Sequence, residues 1–121
     1  MPKYFITGSR VYGPARPDSD LDIMMFEKEA IKLHNLMGDI GVKTELINDG
    51  YSGFYITVKG FPKINIITTN DSHVFNQWEF ATKEMKKIPP IKDRKKRIEQ
   101  FVSFWHIFDK KNKYDFESTI I

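Results

Sequence analysis

Ile6-Thr7-Gly8-Ser9-Arg10-Val11-Tyr12-Gly13-Pro14-Ala15-Arg16-Pro17-Asp18-Ser19-Asp20-Leu21-Asp22-Ile23-Met24-Met25 is the stretch on which the reading of this chain turns. Leu21, Ile23 and Met25 alternate with Asp20, Asp22 and Met24, the two-residue period of a strand with unlike faces. Both carboxylates therefore project from one face. Upstream, Lys3 to Thr7 reads as a first strand that stops at Gly8-Ser9. Ser9 is the expected N-cap of a short helical turn over Arg10 to Tyr12, which Gly13-Pro14 closes. Arg16-Pro17-Asp18-Ser19 is loop, with Pro17 stiffening the approach to the second strand.

Working outward, Ala30, Ile31, Leu33, Leu36 and Met37 recur at helical spacing and predict an amphipathic helix over Glu27 to Met37, with Gly38 near its end. Three strand-like segments follow, Val42 to Ile47, Phe54 to Lys59 and Lys63 to Thr68. Turns are expected at Asn48-Asp49-Gly50 with Ser52-Gly53, and at Gly60-Phe61-Pro62. Connections this short favour an antiparallel meander. A helix capped by Ser72 is expected to run to about Lys87. Pro89-Pro90 breaks it, and a second helix covers about Lys92 to Phe108. The polar residues from Asp109 to Ile121 read as a loosely held tail. The expected fold class is α/β (α+β), one domain over 1–121. Residues 1–70 would form the sheet and active-site core, and 71–108 the C-terminal helices.

Composition sets the outer limits. A chain of 121 residues, 40% apolar and 29% charged, suits a single globular core, and ten Phe, five Tyr and two Trp give it bulky filling. The absence of cysteine excludes a disulfide framework and any thiolate metal site, and fits a cytoplasmic location. No apolar run reaches the roughly 18 to 20 residues of a membrane span, and no signal peptide is expected at the N-terminus. The net charge is +3, yet Lys83 to Arg97 holds eight basic residues against Glu84 and Asp93. Such a run most simply makes a solvated helix face, and it could also attract phosphates or nucleic-acid backbone.

The chemistry lies in the first stretch. Two carboxylates at i and i+2 can share Mg²⁺ or Mn²⁺ with a triphosphate, since hard cations prefer oxygen ligands. A backbone turn opening a helix supplies N–H donors to phosphates, and a Ser hydroxyl adds another. Phosphoryl chemistry needs both jobs done across one cleft.

Gly8-Ser9, ten intervening residues and Asp20-x-Asp22 resemble the signature of the nucleotidyltransferase superfamily related to DNA polymerase β, most nearly its minimal nucleotidyltransferases. Arg10, Gly13, Arg16-Pro17 and Ser19 agree with the flanking pattern. The detailed likeness covers residues 4 to 26; beyond it the element order and size agree. It implies a mixed, mostly antiparallel five-stranded sheet with helices against it. It further implies an NTP bound with Mg²⁺ and transfer of a nucleoside monophosphate to an acceptor hydroxyl. Asp20 and Asp22 would be the catalytic metal ligands. Gly8 and Ser9 would hold the phosphates, with Arg10 and Ser19 as further nucleotide contacts. The acceptor is left open, and a macromolecular acceptor or a homodimer would supply the missing wall.

One departure from the family matters. A third carboxylate is expected on a later strand, where it helps to deprotonate the acceptor. The matching segment, Lys63-Ile64-Asn65-Ile66-Ile67, offers Asn65 instead. An amide oxygen can ligate a metal but is no base at neutral pH. Glu45 is the alternative if register brings it to the same face. Two further functions stay open on this ground: an NTP or nucleic-acid binding module that has lost the chemistry, and an interaction protein that neutralises a partner.

Plainer readings apply elsewhere. His34, His73 and His106 have no ligand-like spacing and read as structural or solvent-facing. Ile98, Phe101, Val102, Trp105 and Phe108 form a helical stripe expected to be core, with Trp78 packed into the same region. Arg16 reads as a surface loop residue. Lys83, Lys87 or Lys92 would reach the triphosphate only if the helices fold onto the cleft.

Overall fold

The computed structural model describes residues 3–48, 54–60 and 62–120, and for 112–120 the backbone alone. Along the chain run β1 (Tyr4–Thr7), α1 (Ser9–Tyr12), β2 (Leu21–Phe26), α2 (Glu27–Asp39), β3 (Thr44–Asn48), β4 (Phe54–Val58), β5 (Ile64–Thr69), α3 (Ser72–Lys86) and α4 (Arg94–Ile120). The strands make one five-stranded sheet ordered β1-β2-β5-β4-β3. Only β2 and β5 are parallel; the other three neighbouring pairs are antiparallel. The β3-β4-β5 meander expected from the short connections is present. Its turn residues, Asp49 to Gly53 and Phe61, lie outside the described residues.

Helices cover both faces. Beneath α2, Met25, Ala30, Ile56 and Ile66 close into a core, and Ile23, Leu33, Met37, Phe54 and Ile64 pack round it. The buried Met and Ile side chains each contribute about 1.5 to 3 kcal/mol by leaving water. This face carries the apolar half of the β2 alternation. On the opposite face α3 docks through Phe75, whose ring stacks on Phe26 at 4.4 Å and meets Phe5 edge-on at 5.0 Å. A second core joins α3 to α4 through Ala81, Met85 and Phe101, with Tyr12, Trp78 and Trp105 against it.

Helix ends differ from the sequence reading in three places. Gly8, not Ser9, occupies the N-cap of α1, and no side chain caps it. At α3 the cap is Asp71, whose carboxylate accepts from the His73 N–H at 2.9 Å, so Ser72 is already helical. An aspartate there also suits the positive end of the helix dipole. The third correction concerns the tail: α4 runs on through 109–120. No Gly or Pro interrupts this stretch. Asp109 also clamps α4 to α3, accepting from Gln77 Nε2 at 3.0 and 3.1 Å and pairing with His73 Nε2 at 2.8 Å.

Candidate functional site

One row of residues crosses the whole sheet. Register sets Thr7 opposite Asp22, Asp22 opposite Asn65, Asn65 opposite Thr57, and Thr57 opposite Glu45. Because side chains alternate along each strand, all five belong to the face that α3 packs against. The parallel pairing of β2 with β5 is what brings Asn65 beside the carboxylates. Glu45 shares the face but not the site: three spacings of about 4.8 Å put it roughly 14 Å from Asp22. Of the two candidates for the third position, Asn65 is the one in place.

Asn65 joins the two acids. Its Nδ2 donates to Asp20 Oδ2 at 2.9 Å and to Asp22 Oδ1 at 3.2 Å. Its Oδ1 accepts from Thr57 Oγ1 at 3.2 Å. Ionised carboxylates only accept, so the amide must turn its nitrogen to them and leave its oxygen for the hydroxyl. Thr57 is buried and holds that orientation from the neighbouring strand. Burial pushes the Asp22 carboxyl above the usual carboxylate range. The Asn65 hydrogen bond opposes that shift, the charge of Asp20 adds to it, and Lys63 pulls it back.

Gly8 fits against this pair for two reasons. Its φ of 80° lies in the left-handed region, and a methyl group on it would run into the Asp22 carboxylate. The turn backbone thus lies directly against the Asp22 carboxylate, with no room for a side chain between them. Ser9 follows as the first residue of α1, half-buried beside the turn. Arg10 and Ser19 are engaged locally. The Arg10 guanidinium donates to the carbonyls of Ser19 at 2.8 Å and Pro17 at 3.0 Å, pinning the loop that leads to Asp20. Ser19 Oγ accepts from the Arg16 N–H at 2.7 Å. Arg16 itself is exposed, 3.6 Å from Asp18.

Behind the carboxylates lies a layer that the sequence reading did not single out. Thr7 Oγ1 bonds Thr82 Oγ1 at 2.8 Å and accepts from Trp78 Nε1 at 3.2 Å, tying β1 to α3. Tyr12 stands between Thr7, Asp22 and Arg97. Burial raises its hydroxyl pKa and Asp22 raises it further, while Arg97 and a hydrogen bond with Thr7 act the other way. A buried Thr in an apolar strand was the available signal for Thr7 and Thr57, but it carries no hint of its partner. Beyond β1, Arg10, Lys83 and Lys86 border a cleft of about 590 Å³ walled by Phe5, Ile6 and Thr82. Lys87 is paired with Glu84 at 2.9 Å, and Lys92 is exposed.

His34 bonds Thr44 and His73 pairs with Asp109, whereas His106 is exposed. Among the described residues no three His, Cys, Asp or Glu side chains gather as a metal-binding group. No helix among them is long and apolar enough to cross a membrane. Comparison with known proteins matched no family model, no curated protein and no solved structure.

Proposed function

We propose that this chain is a metal-dependent nucleotidyltransferase of the polymerase β-like superfamily, moving a nucleoside monophosphate from an NTP to an acceptor hydroxyl. The observation that carries the reading is the Gly8–Asp22–Asn65 convergence. Residues far apart in sequence put a glycine turn, two carboxylates and an amide at one spot on the sheet. A mixed five-stranded sheet with a single parallel pair supports the fold implied by the Gly-Ser and Asp-x-Asp likeness.

The donor set fits a hard divalent cation. Asp20 and Asp22 would hold Mg²⁺, and when bound it would neutralise charge on the phosphates. Asn65 would orient Asp20 and Asp22 through its amide nitrogen, with Thr57 fixing Asn65. The Gly8-Ser9 turn would face the phosphates, and Arg10 would keep the loop before Asp20 in place. In the transfer, the acceptor oxygen bonds the α-phosphorus, the bond to pyrophosphate breaks, and the hydroxyl proton passes to solvent.

Asn65 also supports a second reading, in which NTP binds and no transfer follows, because an amide cannot take the acceptor proton. Incubation with α-labelled NTPs, Mg²⁺ and a panel of hydroxyl acceptors separates the two. The enzyme reading expects labelled acceptor, reduced at least about a thousandfold by Asp22→Asn. NTP binding without label on any acceptor supports the binding module. Failure to bind any NTP with Mg²⁺ or Mn²⁺ removes both.

A further inference from the structure

Tyr12, Trp78, Phe101 and Trp105 wall a cavity of about 240 Å³ between α1, α3 and α4, with Arg97 at its border. The rings are mutually braced: Trp78 lies 5.5 Å from Phe101 and 5.3 Å from Trp105, and Tyr12 lies 5.9 Å from Phe101. The expected core stripe of α4 is therefore only partly core. Phe101 is buried, but Ile98 is 52% exposed and Val102 and Trp105 line the opening.

Two polar groups distinguish this cavity from a packing gap. Trp105 Nε1 is buried without a hydrogen-bond partner in the protein. Buried indole N–H groups ordinarily find an acceptor, so an orphan at a cavity wall asks for one from outside. Arg97 spends one N–H on the Ile91 carbonyl at 3.2 Å and keeps others on its fork. Aromatic faces and two donors suit a flat heterocycle with acceptors along its edge. Tyr12 links the cavity to the carboxylate side: it lines the cavity with Arg97, hydrogen-bonds Thr7 and feels the charge of Asp22.

We propose that this cavity receives the nucleobase of the NTP whose phosphates lie at Gly8-Ser9 and Asp20/Asp22. The proposal rests on the nucleotidyltransferase reading and adds to it the place where the base is held. Its size agrees, being below the roughly 300 to 1,000 Å³ of sites that enclose whole drug-sized ligands. One ring system enters, and the sugar and phosphates stay outside, on the Asp22 side of Tyr12. The ring stacks among Trp78, Phe101 and Trp105, and its edge accepts from Trp105 Nε1 and Arg97. Stacking tolerates any base, so discrimination comes from those two donors.

The two Trp residues make the test direct, since each gives one indole N–H resonance in a ¹⁵N-labelled sample. The Trp78 proton is already bonded to Thr7, and the resonance missing from the spectrum of Trp105→Phe assigns the other to Trp105. Each NTP, free nucleosides and inorganic tripolyphosphate, all with Mg²⁺, are titrated separately. The expected result is a downfield shift of the Trp105 indole proton with NTP and none with tripolyphosphate. Trp105→Phe keeps a ring and removes the donor. It should weaken NTP binding about three- to tenfold and leave tripolyphosphate binding as it was. Arg97→Gln should do the same, and the wild-type shift stands alone if either variant does not fold. An unmoved Trp105 resonance, with NTP held equally by both variants, overturns the base pocket while the phosphate site survives. A nucleoside that shifts Trp105 when neither NTP nor tripolyphosphate binds through phosphate keeps the pocket and removes the transferase reading. No binding by any of the probes overturns both.

Discussion

Met25, Ile56 and Ile66 line one face of the sheet; Asp22, Thr57 and Asn65, their neighbours along the same three strands, line the other. Under α2 the face is a continuous apolar core. Beneath α3 the corresponding row is polar from one edge of the sheet to the other, and Asp22 lies half-buried in it. Carboxylates and buried hydroxyls do not favour a packed strand. The chain keeps this row satisfied by hydrogen bonds between adjacent strands and from α3. The apolar face supplies the stability that lets the opposite face hold its charges close together. A fold of this size can thus carry a half-buried polar row as long as the opposite face is apolar.

Ile56 and Thr57, consecutive on β4 and pointing opposite ways, give the widest contrast. Ile56→Ala should lower unfolding free energy by about 2 to 5 kcal/mol in a urea titration, because it empties the α2-side core. A loss below about 1 kcal/mol would mean that this face is not the one carrying the fold. Asn65→Asp sharpens the other side. With a third carboxylate beside Asp20 and Asp22, the metal-free protein should lose about 1 to 2 kcal/mol by charge repulsion. Mg²⁺ should then raise its melting temperature more than it raises that of the wild type. A metal response no larger than the wild type's would argue against a cation at this spot. Thr57→Val keeps the volume and removes the donor to Asn65, so about 1 kcal/mol is expected in the same titration.

On metal-free stability, Asp22→Asn gives the smallest and most directional effect. The folded pKa of Asp22 lies above its unfolded value, chiefly through burial, so the native state binds that proton more tightly. Stability from this group is then fully present below the unfolded pKa and is lost as pH rises through the folded one. In metal-free buffer, Asp22→Asn should melt above the wild type at neutral pH. The gap should close as the pH falls below about 4, where the unfolded carboxyl also protonates. A gap that widens on acidification would reverse the sign assigned to Asp22.

Much of the fold was legible in local pattern. The two-residue period of β2, the helical period of α2 and the short β3-β4-β5 connections led to the observed element order, because each is a property of neighbouring residues. The helix ends were less legible. Asp71 and Ser72 are both good caps, and contacts decide between them. Beyond Phe108, Asp109 meets Gln77 and His73 across the helix pair, a contact that no local pattern signals.

At the site, sequence alone determined the carboxylates of Asp20 and Asp22, their shared face, and a glycine turn ahead of them. It also put Asn65 first for the third position, with Glu45 as the alternative until strand register decided between them. That choice belonged to tertiary structure, since strand register is a long-range pairing and a shift of one residue turns every side chain to the other face. The parallel alignment of β2 with β5 puts Asn65 beside Asp22, and two intervening strands hold Glu45 away. The same long-range packing alone brought Thr57 beside Asn65, Thr7 onto Thr82, and Tyr12 between Asp22 and Arg97. No spacing along the chain encodes contacts of this kind, because the partners come from different elements and meet only when the sheet and helices close on one another.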